Sequence, residues 1–237
     1  MKKKTFYILI ILIVVLISVI GYLATKTLNS KPKTVEKVVY KEVKSKNIDK
    51  IKKEENILFL GDSITEFYPI EEIYGDLPIV RSGLAGYETT DILDKIEEMS
   101  YKYNPTSVYL LIGTNDIRID NSKEKQDETI ENIKKITKLI RKNRSQAKIY
   151  IESIYPVNRN LTLSMVQNRH NEDIQYMNSE IEKYANENNI VYIDLYNELT
   201  DNDGNFSKDY TDDGLHPNDL GYAKISQILL RKIYNIK

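Results

Sequence analysis

From Asn56 onward, short apolar runs alternate with longer stretches whose apolar residues recur every three or four positions. The runs at 57–60, 79–81, 108–112, 149–151 and 190–193 are rich in Ile, Val and Tyr and mostly end in Gly, Ser or Asp, a pattern that predicts five strands of a buried parallel sheet. Helical candidates fall at 90–100, 124–143 and 168–188, with a last one at 219–234. Ile130, Ile133, Ile136, Thr137 and Ile140 lie on one stripe, as a helix packed on a sheet requires. The alternation of strand and helix predicts an α/β fold, a three-layer α/β/α sandwich of flavodoxin-like type around a five-stranded parallel sheet.

The chain begins differently. Met1-Lys2-Lys3-Lys4 precedes nineteen uncharged, mostly apolar residues at 6–24, long enough to span a bilayer. A signal peptide has a shorter apolar region, about 7–15 residues, and then small residues at its cleavage site; none stands out here. Residues 1–28 are therefore expected to be an uncleaved signal anchor in the cell membrane, cleavage and secretion being the alternative. The initial lysines favour a cytoplasmic N-terminus and an extracytoplasmic C-terminal domain, a bias that Lys26 and the lysines after it weaken. Residues 29–55, rich in Lys, Glu, Val and Ser, read as a charged extracytoplasmic linker, and 56–237 as the folded domain.

Hydrophobic residues at 41% and charged residues at 29% suit one globular domain on a polar tether. The 34 Lys and Arg against 35 Asp and Glu give no electrostatic case for a nucleic-acid partner. The absence of cysteine excludes disulfides, thiolate nucleophiles and Cys-based metal sites.

In an open parallel sheet the ligand site lies beyond the C-terminal ends of the strands. There the sequence carries Gly61-Asp62-Ser63-Ile64-Thr65, Ser82-Gly83-Leu84-Ala85-Gly86 and Gly113-Thr114-Asn115-Asp116, with Asp213-Gly214-Leu215-His216-Pro217-Asn218 before the last helix. These four segments, in this order, resemble the blocks of the SGNH (GDSL) hydrolase superfamily of esterases and lipases, from about Asn56 to the C-terminus. The resemblance implies Ser63 as nucleophile, Asp213 and His216 as its partners, and oxyanion donors from the Ser63 and Gly86 backbones and the Asn115 side chain. Where this chain has Ser82, members of that superfamily often have asparagine, which leaves the support of the oxyanion loop open.

The chemistry is consistent with those roles. A serine hydroxyl needs an adjacent base, normally imidazole. Of the two histidines, His216 lies in a Gly/Pro-punctuated loop, whereas His170 sits in a polar helix start, Asn168-Arg169-His170-Asn171. Asp213, three residues before His216, can hold the imidazole's second N–H; Asp212 is its rival. A glycine at 86 allows close approach to an oxyanion, and the Asn115 amide offers donors without charge. Gly83 is another candidate for the oxyanion role, but the resemblance, in which the second glycine of Gly-x-x-Gly aligns with the oxyanion residue, implies a structural turn there; Asp116 reads as a loop support. Phe67 and Tyr68, just after the nucleophile, are candidates for lining the substrate pocket.

Asp201-Asn202-Asp203-Gly204-Asn205 has glycine at the fourth position, where an EF-hand needs it at the sixth, and reads as a polar turn. Neither a P-loop nor a Gly-x-Ser-x-Gly elbow is present. The expected function is an extracytoplasmic serine esterase that needs no metal or organic cofactor and acts on O-acetyl or short-acyl esters of surface carbohydrate. The alternatives are a lysophospholipase- or lipase-like acyl hydrolase and a non-catalytic, membrane-tethered glycan-binding module.

Overall fold

The computed structural model describes residues 55–234. The anchor expected at 1–28 and all of the expected linker except Glu55 lie outside the described residues. No helix among the described residues is long and apolar enough to cross a membrane.

Five strands, β1 (Ile57–Gly61), β2 (Ile79–Gly83), β3 (Ser107–Leu111), β4 (Lys148–Glu152) and β5 (Val191–Ile193), form one parallel sheet in the order β2-β1-β3-β4-β5. The chain first steps from β1 to β2 on one side and then returns to β3 on the other. That reversal falls at the C-terminal ends of β1 and β3, beyond which this topology places ligands. All five strands fall on the apolar runs read from the sequence.

Alternation along the strands gives the sheet two chemically different faces. Leu58, Leu60, Val108, Leu110, Ile149 and Ile151 are buried on one face, and register pairs Leu58 with Val108 and Val108 with Ile149. They meet Ile92 from helix α1 (Thr89–Asp94), Ile130, Ile133, Ile136 and Ile140 from α2 (Lys123–Asn143), and Ile174, Met177 and Ile181 from α3 (Asn171–Glu187). Each isoleucine removed from water contributes about 1.5–3 kcal/mol. Helix α2 is capped by Ser122, whose hydroxyl accepts from the Lys125 N–H, and carries Arg141 and Lys142 in its last turn, where cations favour the helix dipole.

The other face is aromatic. Phe59, Tyr109 and Tyr150 stand side by side across three strands in register, with Tyr109 and Tyr150 stacked at 4.3 Å and 2° and Phe59 at 5.2 Å from Tyr109. Tyr68 and Tyr74 meet Phe59 edge-on. The last helix, α4 (Asp219–Ile233), closes this side: Tyr222 donates to the Ile64 carbonyl, and Ser226 bonds Tyr68. Many of the chain's 18 tyrosines are thus core residues.

The helix expected at 90–100 is broken: α1 ends at Asp94 and a separate turn covers Ile96–Met99, with Lys95 outside helical geometry at φ −115° and ψ 23°. The helix expected from 168 starts at Asn171, because Asn168, Arg169 and His170 belong to the loop from β4.

Two residues beyond Tyr150, Glu152 is buried on the aromatic face with one side-chain hydrogen bond, donated by Tyr155 at 2.6 Å. Burial pushes its carboxyl up to about 7, against the pull of the Tyr155 hydroxyl. Between its ordinary value and 7 the folded chain holds a proton that the unfolded chain has released, so stability is full below that window and is lost as pH rises through it. Unfolding midpoints measured from about pH 5 to 8 should fall with rising pH, and Glu152→Gln should lessen the fall. An unchanged slope in the variant would assign the effect to another group.

Candidate active site

The turn after β1 is shaped by three residues with different duties. A Cβ on Gly61 would lie 2.2 Å from the Leu111 carbonyl oxygen, so only glycine lets β1 end this close to β3. Asp62 is fully buried and caps the one-turn helix Ser63–Glu66 by accepting from the Ile64 N–H at 3.0 Å. Its other carboxylate oxygen has no hydrogen-bond partner among the described residues, and burial pushes its carboxyl up to about 7. Ser63 opens the helix, so its own N–H is one of the first-turn donors left without an intrahelical acceptor.

The Ser63 Oγ lies 3.0 Å from His216 Nε2, and His216 Nδ1 lies 2.7 Å from Asp213 Oδ2. Asp213 Oδ1 also accepts from the backbone N–H groups of Leu215 and His216, both at 2.8 Å. Burial raises the Asp213 carboxyl, but the His216 ring and these backbone donors outweigh it and hold the group down at about 2. It is therefore an anion at neutral pH, suited to orienting an imidazole whose Nδ1 carries the proton. Asp212 is exposed and faces Asn218 at 3.2 Å, which settles the rivalry in favour of Asp213. Thr211 staples the loop, donating to the His216 carbonyl at 2.7 Å and accepting from Gly214 N–H at 3.0 Å.

On the opposite side, Gly86 takes φ +80° with nothing within 4 Å of where a Cβ would stand, and among the described residues its N–H has no acceptor. Asn115 follows β3, is buried, and donates from Nδ2 to the Tyr87 carbonyl at 3.0 Å. Asp116 accepts from the N–H and hydroxyl of Thr89, and the Ala85 N–H donates to Glu66 at 2.6 Å. Glu66 and Asp116 thus hold the Gly86 loop at both ends, the support left open by Ser82. Gly83 is structural: a Cβ there would lie 2.5 Å from the Glu66 nitrogen and 2.6 Å from the Asp62 oxygen.

Phe67 stands at the mouth of the site, 53% exposed, with its ring centroid 5.6 Å from that of His216. Tyr68 does not join it, a correction to the expectation from sequence. It turns inward, 3% exposed, with its hydroxyl on Ser226 of α4 and on Tyr74 of the short helix Ile70–Tyr74, partners that lie in the core rather than at the site. His170 is exposed at the start of α3. In the 201–205 turn, the Asp201 carboxylate accepts from the N–H groups of Asp203 and Asn205, and among the described residues no cluster of three or more His, Asp or Glu side chains is arranged to hold a metal. One buried site residue gave no sequence signal: Arg169, which reads as part of a polar helix start, reaches Asn115 Oδ1 at 2.8 Å.

A nucleophile, a base and an orienting carboxylate in hydrogen-bonded succession, at the reversal point of a doubly wound sheet, define the serine-hydrolase class of site. The chain belongs to the GDSL-like lipase/acylhydrolase family, whose profile matches residues 59–224. It is 31% identical over 169 residues to an N-acylneuraminate cytidylyltransferase of Escherichia coli, covering 71% of this chain. It is 30% identical over 170 residues to a multidomain esterase of Ruminococcus flavefaciens, covering 65% of this chain. The matches span only 38% and 20% of those proteins' own lengths. A solved Streptococcus pneumoniae structure named for a platelet activating factor is 30% identical, with a TM-score of 0.71 over 92% of this chain and 99% of that one.

The two glycines separate space from backbone strain. Gly83→Ala must displace main-chain atoms and should lower the unfolding midpoint more than Gly86→Ala, which meets nothing and bears only the left-handed dihedral, about 1–2 kcal/mol. Thermal unfolding of both variants checks the order.

Proposed function

We propose that this chain is a serine esterase that hydrolyses carboxylic esters through an acyl-enzyme on Ser63. The observation that carries the reading is the unbroken chain Ser63–His216–Asp213, with contacts of 3.0 and 2.7 Å. His216 Nε2 takes the hydroxyl proton as Ser63 Oγ attacks the carbonyl carbon, and Asp213 stabilises the imidazolium. The Ser63 and Gly86 N–H groups and Asn115 Nδ2 receive the oxyanion. His216 returns the proton to the departing alcohol, then activates the water that frees the acid. A glycan-binding module would have no use for a nucleophile joined to an oriented base.

The proposed substrate is an O-acetyl or short-acyl ester of surface carbohydrate, processed outside the cytoplasmic membrane to which residues 1–28 would anchor the domain. The apolar run behind three lysines supports the location. A second reading, hydrolysis of longer acyl esters of lipids, is favoured by a specific observation. Phe67, Leu84, Ile119, Leu163, Met165 and Leu220, six of the seven exposed large apolar residues among the described residues, sit after strand ends or at the start of α4, on the catalytic edge.

With p-nitrophenyl acetate, Ser63→Ala should lower kcat by roughly three orders of magnitude or more, and Asp213→Asn by roughly 10²–10⁴-fold. Equal rates for the intact chain and Ser63→Ala would sink the esterase reading. A series from acetate to laurate then decides the acyl length: kcat/KM falling with length supports the short-acyl ester, and rising kcat/KM supports the lipid ester.

A further inference from the structure

Arg169 is 1% exposed and has no ion pair among the described residues. Burying a guanidinium without a bonded counter-ion is expensive, and the cost is met by hydrogen bonds. Nε donates to the Thr114 carbonyl at 2.7 Å and to its hydroxyl at 3.1 Å. Nη1 donates to the carbonyls of Met165 at 3.1 Å and Val166 at 3.0 Å. Nη2 donates to Asn115 Oδ1 at 2.8 Å. One cation therefore grips both the backbone that leads into Asn115 and the side chain of Asn115 itself.

We infer that Arg169 is a positioning residue for the oxyanion hole, fixing which end of the Asn115 amide faces the reacting carbonyl. An asparagine amide has nearly the same shape either way round, so geometry alone does not choose between its oxygen and its nitrogen. Arginine has only donors, and the Tyr87 carbonyl is only an acceptor. With Arg169 on one side and Tyr87 on the other, the reversed amide would set N–H against N–H and oxygen against oxygen. Oδ1 is held toward the guanidinium, one Nδ2 hydrogen goes to Tyr87, and the other is left for the oxyanion. The positive charge behind the amide also polarises it toward stronger donation. Burial lowers the guanidinium to about 10, which leaves it charged at neutral pH.

This inference rests on the esterase reading, and the test separates the two. Steady-state kinetics on p-nitrophenyl acetate are compared for the intact chain, Arg169→Gln, Arg169→Lys, Asn115→Ala and the two Arg169 variants in the Asn115→Ala background. Rates are taken per site titrated with an organophosphate, so that misfolded protein is not counted. Arg169→Gln should lower kcat about 10- to 100-fold with KM changed less than about threefold, and in the Asn115→Ala background it should cost less than about threefold more. Arg169→Lys keeps the charge and loses the fork, and should show the same kcat loss and the same coupling, so it carries the test if Arg169→Gln does not fold. A kcat unchanged in the folded variants, or an equal loss with and without Asn115, overturns the inference while Ser63-dependent hydrolysis by the intact chain stands. Absence of that hydrolysis in the intact chain would overturn the esterase reading instead.

Discussion

The ends of β2, β1 and β3 meet with no room for a side chain between them. A methyl at Gly61 would collide with the backbone of β3, and one at Gly83 with the nucleophile turn. Backbone packed against backbone has no rotamers through which to relax. The position of Ser63 is consequently set by main-chain contacts, and the loops that must meet it are referenced to the same point. The Gly86 loop is held by Glu66, itself in the nucleophile turn, and by Asp116 after β3. The His216 loop leads into α4, whose Tyr222 donates to the Ile64 carbonyl one residue past the nucleophile.

Charge is distributed around this point in a graded way. Asp213, partly exposed and bonded by the His216 ring and the N–H groups of His216 and Leu215, is held anionic at about 2. Asp62, buried and with one carboxylate oxygen unpartnered among the described residues, is pushed to about 7. The same residue type therefore has opposite tendencies within one site, because donors outnumber desolvation in the first case and desolvation wins in the second. Arg169 and the ring of His216 both lower Asp62 toward its charged form, so its state is tied to the two sides of the active site at once.

Strand positions were legible because they rest on local information, whereas Ser63, Asp213 and His216 were named by the resemblance of four motif segments to a known superfamily, since the contact of Ser63 with His216 spans 153 residues. A parallel strand is a short apolar run, the residue after it lies on the ligand edge, and Asp213 and His216 are three positions apart. Arg169 was not legible, since its bonds to Thr114 and Asn115 cross 55 and 54 residues and end largely on oxygens that no composition encodes. Tyr68 was misjudged for a similar reason. Its neighbour Phe67 stays outside while Tyr68 satisfies a hydroxyl against Ser226, 158 residues away. The break at Lys95 has neither proline nor glycine to announce it.

The aromatic face of the sheet gives the molecule an optical signature separate from its chemistry. With no tryptophan in the chain, the near-ultraviolet signals arise from tyrosine and phenylalanine. Tyr109 and Tyr150, stacked at 4.3 Å with nearly parallel rings, are a chirally fixed pair at the centre of the sheet. Near-ultraviolet circular dichroism, which vanishes when tertiary packing loosens, therefore reports the order of that buried face, and a variant at the catalytic edge that leaves the signal intact has altered the site without loosening the sheet beneath it.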